Sequence, residues 1–182
     1  MAKICVFLAE GFEECEALLV VDVCRRAGLD LKMVSISEDV RVTSSHGVTV
    51  VADLVLSQVN FDEVDMIVLP GGMPGTKNLE DCEPLMKQVE AFYHGGKYVS
   101  AICAAPSILG HRGFLKGREA VSYPTFESHL EGATVLKETV AVSDHVTTSR
   151  GLGTAIDFGL AIVERFLGKE EAEKIATAIV YR

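Results

Sequence analysis

Cys103 closes a short apolar run in the stretch YVSAICAAPSILG, residues 98–110. Tyr98, Val99, Ala101 and Ile102 suit a buried strand. Pro106 suits the first turn of a helix, where its missing N–H costs nothing. Strand, sharp turn at the cysteine, helix opening at residues 104–106: this is the pattern of a nucleophile elbow, with Cys in place of Ser and Ala in place of Gly. A thiol on such a turn faces free N–H groups and the positive end of a helix, and both favour the thiolate. The plainer alternative is a small buried hydrophobe that ends a strand, a common place for a thiol.

Two further groups bear on that chemistry. Pro70-Gly71-Gly72 follows the apolar strand at residues 66–69 and bares backbone N–H groups. Beside a nucleophile these hold a developing oxyanion; elsewhere the same residues make a turn that needs positive φ. Glu16 lies about one turn into the first helix. If that helix begins beside the elbow, Glu16 points at Cys103. The two cannot comfortably both be charged, so the arrangement makes sense with a proton kept on Glu16 and donated to the thiolate, the pair titrating as a unit. The alternative is a solvated acid at a helix start, which is how Glu13 and Glu14 read.

The elements that must position these groups alternate. Residues 3–9 read as a buried strand and 13–27 as a helix, acidic at its start and basic at its end, stopped by Gly28. A second strand at 31–37 completes a βαβ unit with a parallel pair. Residues 41–44 and 48–51 suggest a hairpin. The stretch from residue 78 or 79 to 94 contains a helix ended by Gly95-Gly96, and later strands are expected at 119–122, 140–142 and 146–148. Residues 152–167 carry apolar side chains on one face at helical spacing, with Gly168 as cap, and 169–179 form a last helix. Gly151-Leu152-Gly153-Thr154 opens the longest of these faces; with no Lys-Ser/Thr pair after it, it reads as close packing of a helix start near the site rather than a phosphate loop. The fold class is α/β, an open, mostly parallel sheet with helices on both faces, in which AEGFEE, PGGMPG and the Cys103 turn should meet at one sheet edge.

The chain has 182 residues, 48% hydrophobic, with a formal net charge of −9. This suits one domain over residues 1–182 and argues against nucleic-acid binding through a basic surface. No apolar run reaches membrane-spanning length, and MAKICVFLAEG reads as a strand rather than a signal peptide, so no membrane partner is expected. The five cysteines include no CxxC pair, and the five histidines lack metal-ligand spacing. Reduced thiols in the cytoplasm and no metal are the expectation.

LAEGFEECEA, VDVCRRAG, VLPGGMPGTKNL, SAICAAPSIL and TSRGLGTAIDFGLAIVERFLGK occur in order along nearly the whole chain. In these motifs the sequence resembles the ThiJ/PfpI superfamily, and most of all the branch that holds the parkinsonism-associated deglycase. The resemblance implies a flavodoxin-like three-layer sandwich and a homodimer. It implies a reactive, oxidation-prone Cys103, a protonated Glu16 as its partner, and an oxyanion role for the N–H groups of Gly72 and Ala104. It implies glyoxalase activity without a cofactor on small α-oxoaldehydes such as methylglyoxal, deglycation of glycated protein, or a redox-regulated stress or chaperone role. Two positions depart from the pattern. Family proteases carry His after the nucleophile; Ala104 stands here, which argues against a peptidase. Tyr123, before Pro124, replaces a site histidine; it offers a hydrogen bond but is a poor base at neutral pH. His46, His94 or His129 would substitute only if the fold brings one close. The family's older naming suggests thiamine metabolism, which no residue here supports.

Overall fold

A computed structural model of the chain describes residues 1–181. β1 (Lys3–Leu8) leads into α1 (Glu14–Arg26) and β2 (Asp30–Ser35). A hairpin of β3 (Arg41–Thr43) and β4 (Thr49–Val51) follows, then a short β5 (Leu54–Val55) and β6 (Met66–Leu69). α2 (Gly75–Glu80), α3 (Glu83–His94), β7 (Tyr98–Ile102) and α4 (Pro106–His111) form the middle of the chain. The last part runs through β8 (Glu119–Ala120), β9 (Thr134–Val135), β10 (Val140–Ser143), β11 (Val146–Ser149), α5 (Ala155–Leu167) and α6 (Lys169–Ala178).

Seven strands make one sheet in the order β10-β11-β7-β6-β1-β2-β5. Every pairing in it is parallel except β10 with β11 at the edge. The alternation of β1 explains the layers. Ile4, Val6 and Leu8 point into a core shared with Val20 and Val23 of α1, Phe158 and Val163 of α5 and Ile175 of α6. Cys5, Phe7 and Ala9 point the other way, into a core with Leu79 of α2, Leu85, Val89 and Phe92 of α3 and Ile108 of α4. Burial on both faces is what a parallel sheet requires. The result is the expected three-layer, flavodoxin-like α/β sandwich. From β1 the strands build outward to β2 and β5, then return to β6 and build outward on the other side. The order reverses between β1 and β6, and a ligand crevice is expected beyond the carboxyl ends there.

The helix expected within residues 78–94 is α3, with Pro84 in its first turn and Gly95 at its end, and the separate α2 precedes it. Three sequence expectations need correcting. The strand expected at 119–122 is the two-residue β8, and it pairs with β9 outside the main sheet. The apolar face expected over 152–167 begins too early: residues 152–154 form a 3₁₀ turn, Leu152 is half exposed, and α5 starts at Ala155. Glu13 is not a solvated acid. It is buried, caps α1, and its carboxylate accepts from the Glu16 N–H at 2.6 Å. The hairpin is as expected, and Gly168 caps α5 with a positive φ of 87°.

Candidate active site at the cysteine elbow

Cys103 leaves β7 in the left-handed region, with φ 65°. A side chain with a Cβ is strained there, and such strain persists only where neighbours hold it. Here the Cys103 N–H donates to the Ser149 carbonyl at the end of β11, at 3.0 Å, and its carbonyl accepts from the Tyr123 N–H at 2.8 Å. Ala104 and Ala105 are buried behind it, and Pro106 opens α4. The elbow read from the sequence is therefore an elbow in the backbone.

Glu16 reaches the thiol from the first turn of α1. It is 1% exposed. Its Oε2 accepts from the Gly71 N–H at 3.0 Å, its carboxyl also accepts from the Leu152 N–H, and it hydrogen-bonds with the Cys103 side chain. The Glu13 N–H donates back to the Gly71 carbonyl at 2.9 Å, so the α1 start and the turn after β6 are tied at two points. Gly71 has no room for a side chain: a Cβ there would lie 2.6 Å from both Cys103 Cβ and Glu16 Oε2. The three turns picked out in the sequence meet, as expected, at the carboxyl edge of the sheet.

Burial pushes the Glu16 carboxyl up to about 7, with the Glu13 charge adding to the rise. Its hydrogen bonds with Cys103, Gly71 and Leu152 pull the other way. Burial also pushes the Cys103 thiol up, and an ionised Glu16 pushes it further. The N–H groups of Ala104 and Gly72 hydrogen-bond to the sulfur and pull it down. The expectation of a thiolate favoured by a helix end is thus corrected. α4 has only six residues, and the stabilising groups are these two N–H donors. The pair carries one negative charge comfortably. With the proton on Glu16 the opposing charge disappears and the sulfur keeps its donors.

Cys103, Glu16, Gly72 and Ala104 therefore come together. Tyr123 is half exposed and presents its ring edge beside Gly151. The histidines engage other groups: His46 Nδ1 lies 3.1 Å from Glu14 Oε2, His94 packs edge-on against Phe114, and His129 Nδ1 lies 3.0 Å from His111 Nε2. Glu13, Glu14 and His46 bring donor atoms within 4.8 Å of one another. Glu13 is engaged as a cap and Glu14 with His46, so protein contacts satisfy the cluster. Sequence reasoning missed Gly71 as the carboxyl's donor and the Leu152 N–H. The glycines of residues 151–154 were the one available signal for the latter. Of the other cysteines, Cys5 and Cys24 are buried, and burial pushes both thiols up to about 12.

The profile of the DJ-1/PfpI family matches residues 2–165. Protein DJ-1 homolog B of Arabidopsis thaliana is 38% identical over 182 residues, covering 99% of this chain and 42% of the relative. This chain spans less than half the length of the two Arabidopsis relatives it matches, 42% and 45%. A Caenorhabditis elegans protein named glutathione-independent glyoxalase DJR-1.2 is 33% identical, over 91% of this chain and 89% of its own. The oxidized structure of Toxoplasma gondii DJ-1 superposes with a TM-score of 0.94 at 36% identity, covering 99% of this chain and 98% of that one.

Proposed function

The chain belongs to the DJ-1/PfpI family, and from that premise we propose that it is a cofactor-free, cysteine-dependent glyoxalase and protein deglycase, acting on methylglyoxal or its protein adducts in defence against carbonyl and oxidative stress. The observation that carries this reading is a buried carboxyl, raised to about 7, in hydrogen-bond contact with a thiol that also faces two backbone N–H donors. In the first step the Cys103 sulfur adds to the aldehyde carbon, and the carbonyl π pair moves to oxygen. The N–H groups of Gly72 and Ala104 hold that oxyanion, and Glu16 protonates it. Glu16, now ionised, takes the hydrogen from the former aldehyde carbon as a proton and returns it to the neighbouring carbon, while the hydroxyl proton on the former aldehyde oxygen passes to the former ketone oxygen. This leaves a lactoyl thioester on Cys103, and water cleaves it to lactate and the free thiol. A carboxyl poised near 7 suits both proton transfers at neutral pH, and it supplies the base that Tyr123 does not. A deglycase uses the same addition on a methylglyoxal adduct of Cys, Lys or Arg. Ala104 after the nucleophile leaves no Cys-His dyad for peptide cleavage. The reading includes a homodimer working in the cytoplasm, as the resemblance implies.

A second reading draws on the same donors. Peroxide takes the Cys103 thiolate to sulfenate and then sulfinate, releasing one water at each step, and Glu16 with the two N–H groups holds the product. Lactate formation from methylglyoxal by the purified protein, beside Cys103→Ala and Glu16→Gln, separates the two. Turnover lost in both variants supports the enzyme. Wild-type turnover no greater than that of Cys103→Ala overturns it and leaves the oxidation-sensing role.

A further inference from the structure

Residues 149–152 touch both members of the pair. At one end the Ser149 carbonyl accepts the Cys103 N–H at 3.0 Å. At the other the Leu152 N–H donates to the Glu16 carboxyl. The two carboxyl oxygens have different neighbours: Oε2 takes the Gly71 N–H at 3.0 Å, and Oε1 faces the turn at Gly151.

One hydroxyl organises this segment. Thr154 Oγ1 accepts from the Arg150 N–H at 3.2 Å and the Gly151 N–H at 3.1 Å, donates to the Gly151 carbonyl at 2.9 Å, and lies 2.7 Å from Ser149 Oγ. Ser149 Oγ donates in turn to the Thr139 carbonyl at 2.8 Å, just before β10. Thr154 is the third residue of the 3₁₀ turn, so its side chain reaches back to the N–H of the residue ahead of the turn, as Glu or Gln does in a capping box. The Thr154 N–H closes the turn on the Gly151 carbonyl at 2.8 Å, a bond any residue but proline makes there. Only the hydroxyl gathers residues 149, 150 and 151 around one atom. Gly151 is buried, so its N–H would go unpaired without that atom, at a cost in free energy.

We propose that Thr154 is a positioning residue of the site: its hydroxyl sets the course of residues 149–152 and thereby holds the Leu152 N–H on the Glu16 carboxyl, while the Ser149 carbonyl holds the Cys103 turn. Thr154 acts through Leu152. The proposal rests on the reading of Glu16 as the group that moves the proton, because a fixed donor on the ionised carboxyl sets the pH at which that proton is given up. The charged and titratable groups around Glu16 are Cys103 on the elbow, Glu13 on its own helix, Tyr123 across Gly151, and Arg150 in the clamped segment, which pairs with Glu127 at 3.6 Å. All of them are kept in the variants that follow.

The test reads the Glu16 carboxyl directly. Side-chain carboxyl ¹³C shifts of glutamate-labelled protein are followed against pH, with Glu16→Gln identifying the resonance. Thr154→Val removes the hydroxyl and keeps the shape. It loosens a donor from the ionised carboxyl, so the midpoint should rise by about one pH unit, a tenfold gain in proton affinity. Thr154→Ser restores the hydroxyl and should bring the midpoint back. A merely structural threonine would lower stability and leave the midpoint in place, and that result overturns the proposal, as does a serine variant that behaves like valine. Leu152→Pro tests the same link without altering Thr154. Proline is tolerated at the first position of a helical turn and after an extended residue, and it deletes the N–H alone. Its midpoint should rise as far, and adding Thr154→Val should raise it no further. An unmoved midpoint in Leu152→Pro, or full additivity of the two changes, also overturns the proposal. No substrate enters these titrations, so wild-type protein that turns over no aldehyde sinks the enzymatic reading alone.

Discussion

Glu16 and Cys103 compete for one proton, and the competition has a consequence for stability. The folded carboxyl lies at about 7 against an ordinary 4.5, because burial penalises its charge. Between those values the folded chain holds a proton that the unfolded chain releases. Stability therefore falls as pH rises from about 4.5 to about 7, by on the order of 3 kcal/mol. Glu16→Gln keeps the shape and removes the titration. Urea unfolding of both proteins at about pH 5 and about pH 8 should show the wild type losing stability relative to the variant over that interval. Parallel profiles would mean that Glu16 is ionised throughout. Cys103 stood out in the sequence from its strand-turn-helix setting, whereas the place of Glu16 one turn into a helix fits a solvated acid as well, and only the family resemblance pointed to it as the partner. The direction of the thiol's own shift was not legible there, because it depends on how deeply the sulfur is buried and on which N–H groups reach it.

The elbow between β7 and α4 concentrates strain in one residue. Cys103 at φ 65° carries a left-handed cost of roughly 1–2 kcal/mol, held in place by Ser149 and Tyr123 through backbone hydrogen bonds. Glycine adopts that conformation freely. Cys103→Gly should thus be more stable than Cys103→Ala by about 1 kcal/mol in chemical denaturation. If alanine proves as stable as glycine, the turn is not strained. Elements with a strong local signature were readable: β6 from four apolar residues before Pro-Gly-Gly, α1 from its charge asymmetry, the hairpin from its paired valines. The misreadings share a cause. β8 and β9 have two residues each and exist only because they pair with each other. Leu152 fits an apolar helical face, yet its N–H serves Glu16 and its side chain turns outward.

At the scale of the whole molecule, α1 and α5 pack together on one face of the sheet, and Phe158 is fully buried between helix and sheet. Gly159 lets the helices approach, with a Cβ there only 3.1 Å from Val23 Cβ. Because α1 carries Glu16 and the turn before α5 carries Leu152, this packing supports two of the segments at the site. Phe158→Ala should cost about 3–5 kcal/mol in unfolding free energy. In protein that remains folded, the iodoacetamide rate at Cys103 should change little; a large change would show that the core is coupled to the site rather than merely supporting it. The sequence by itself determined the α/β alternation and the family and singled out Cys103 as a candidate, because hydrophobic period, turn residues and motif order are local properties of the chain. Only the tertiary structure decided that Gly71 and Leu152 hold Glu16 and that His46, His94 and His129 engage groups other than the thiol. Those facts are distances between segments far apart in the chain, set by where the strand order reverses and how two helices pack, and no local pattern encodes them.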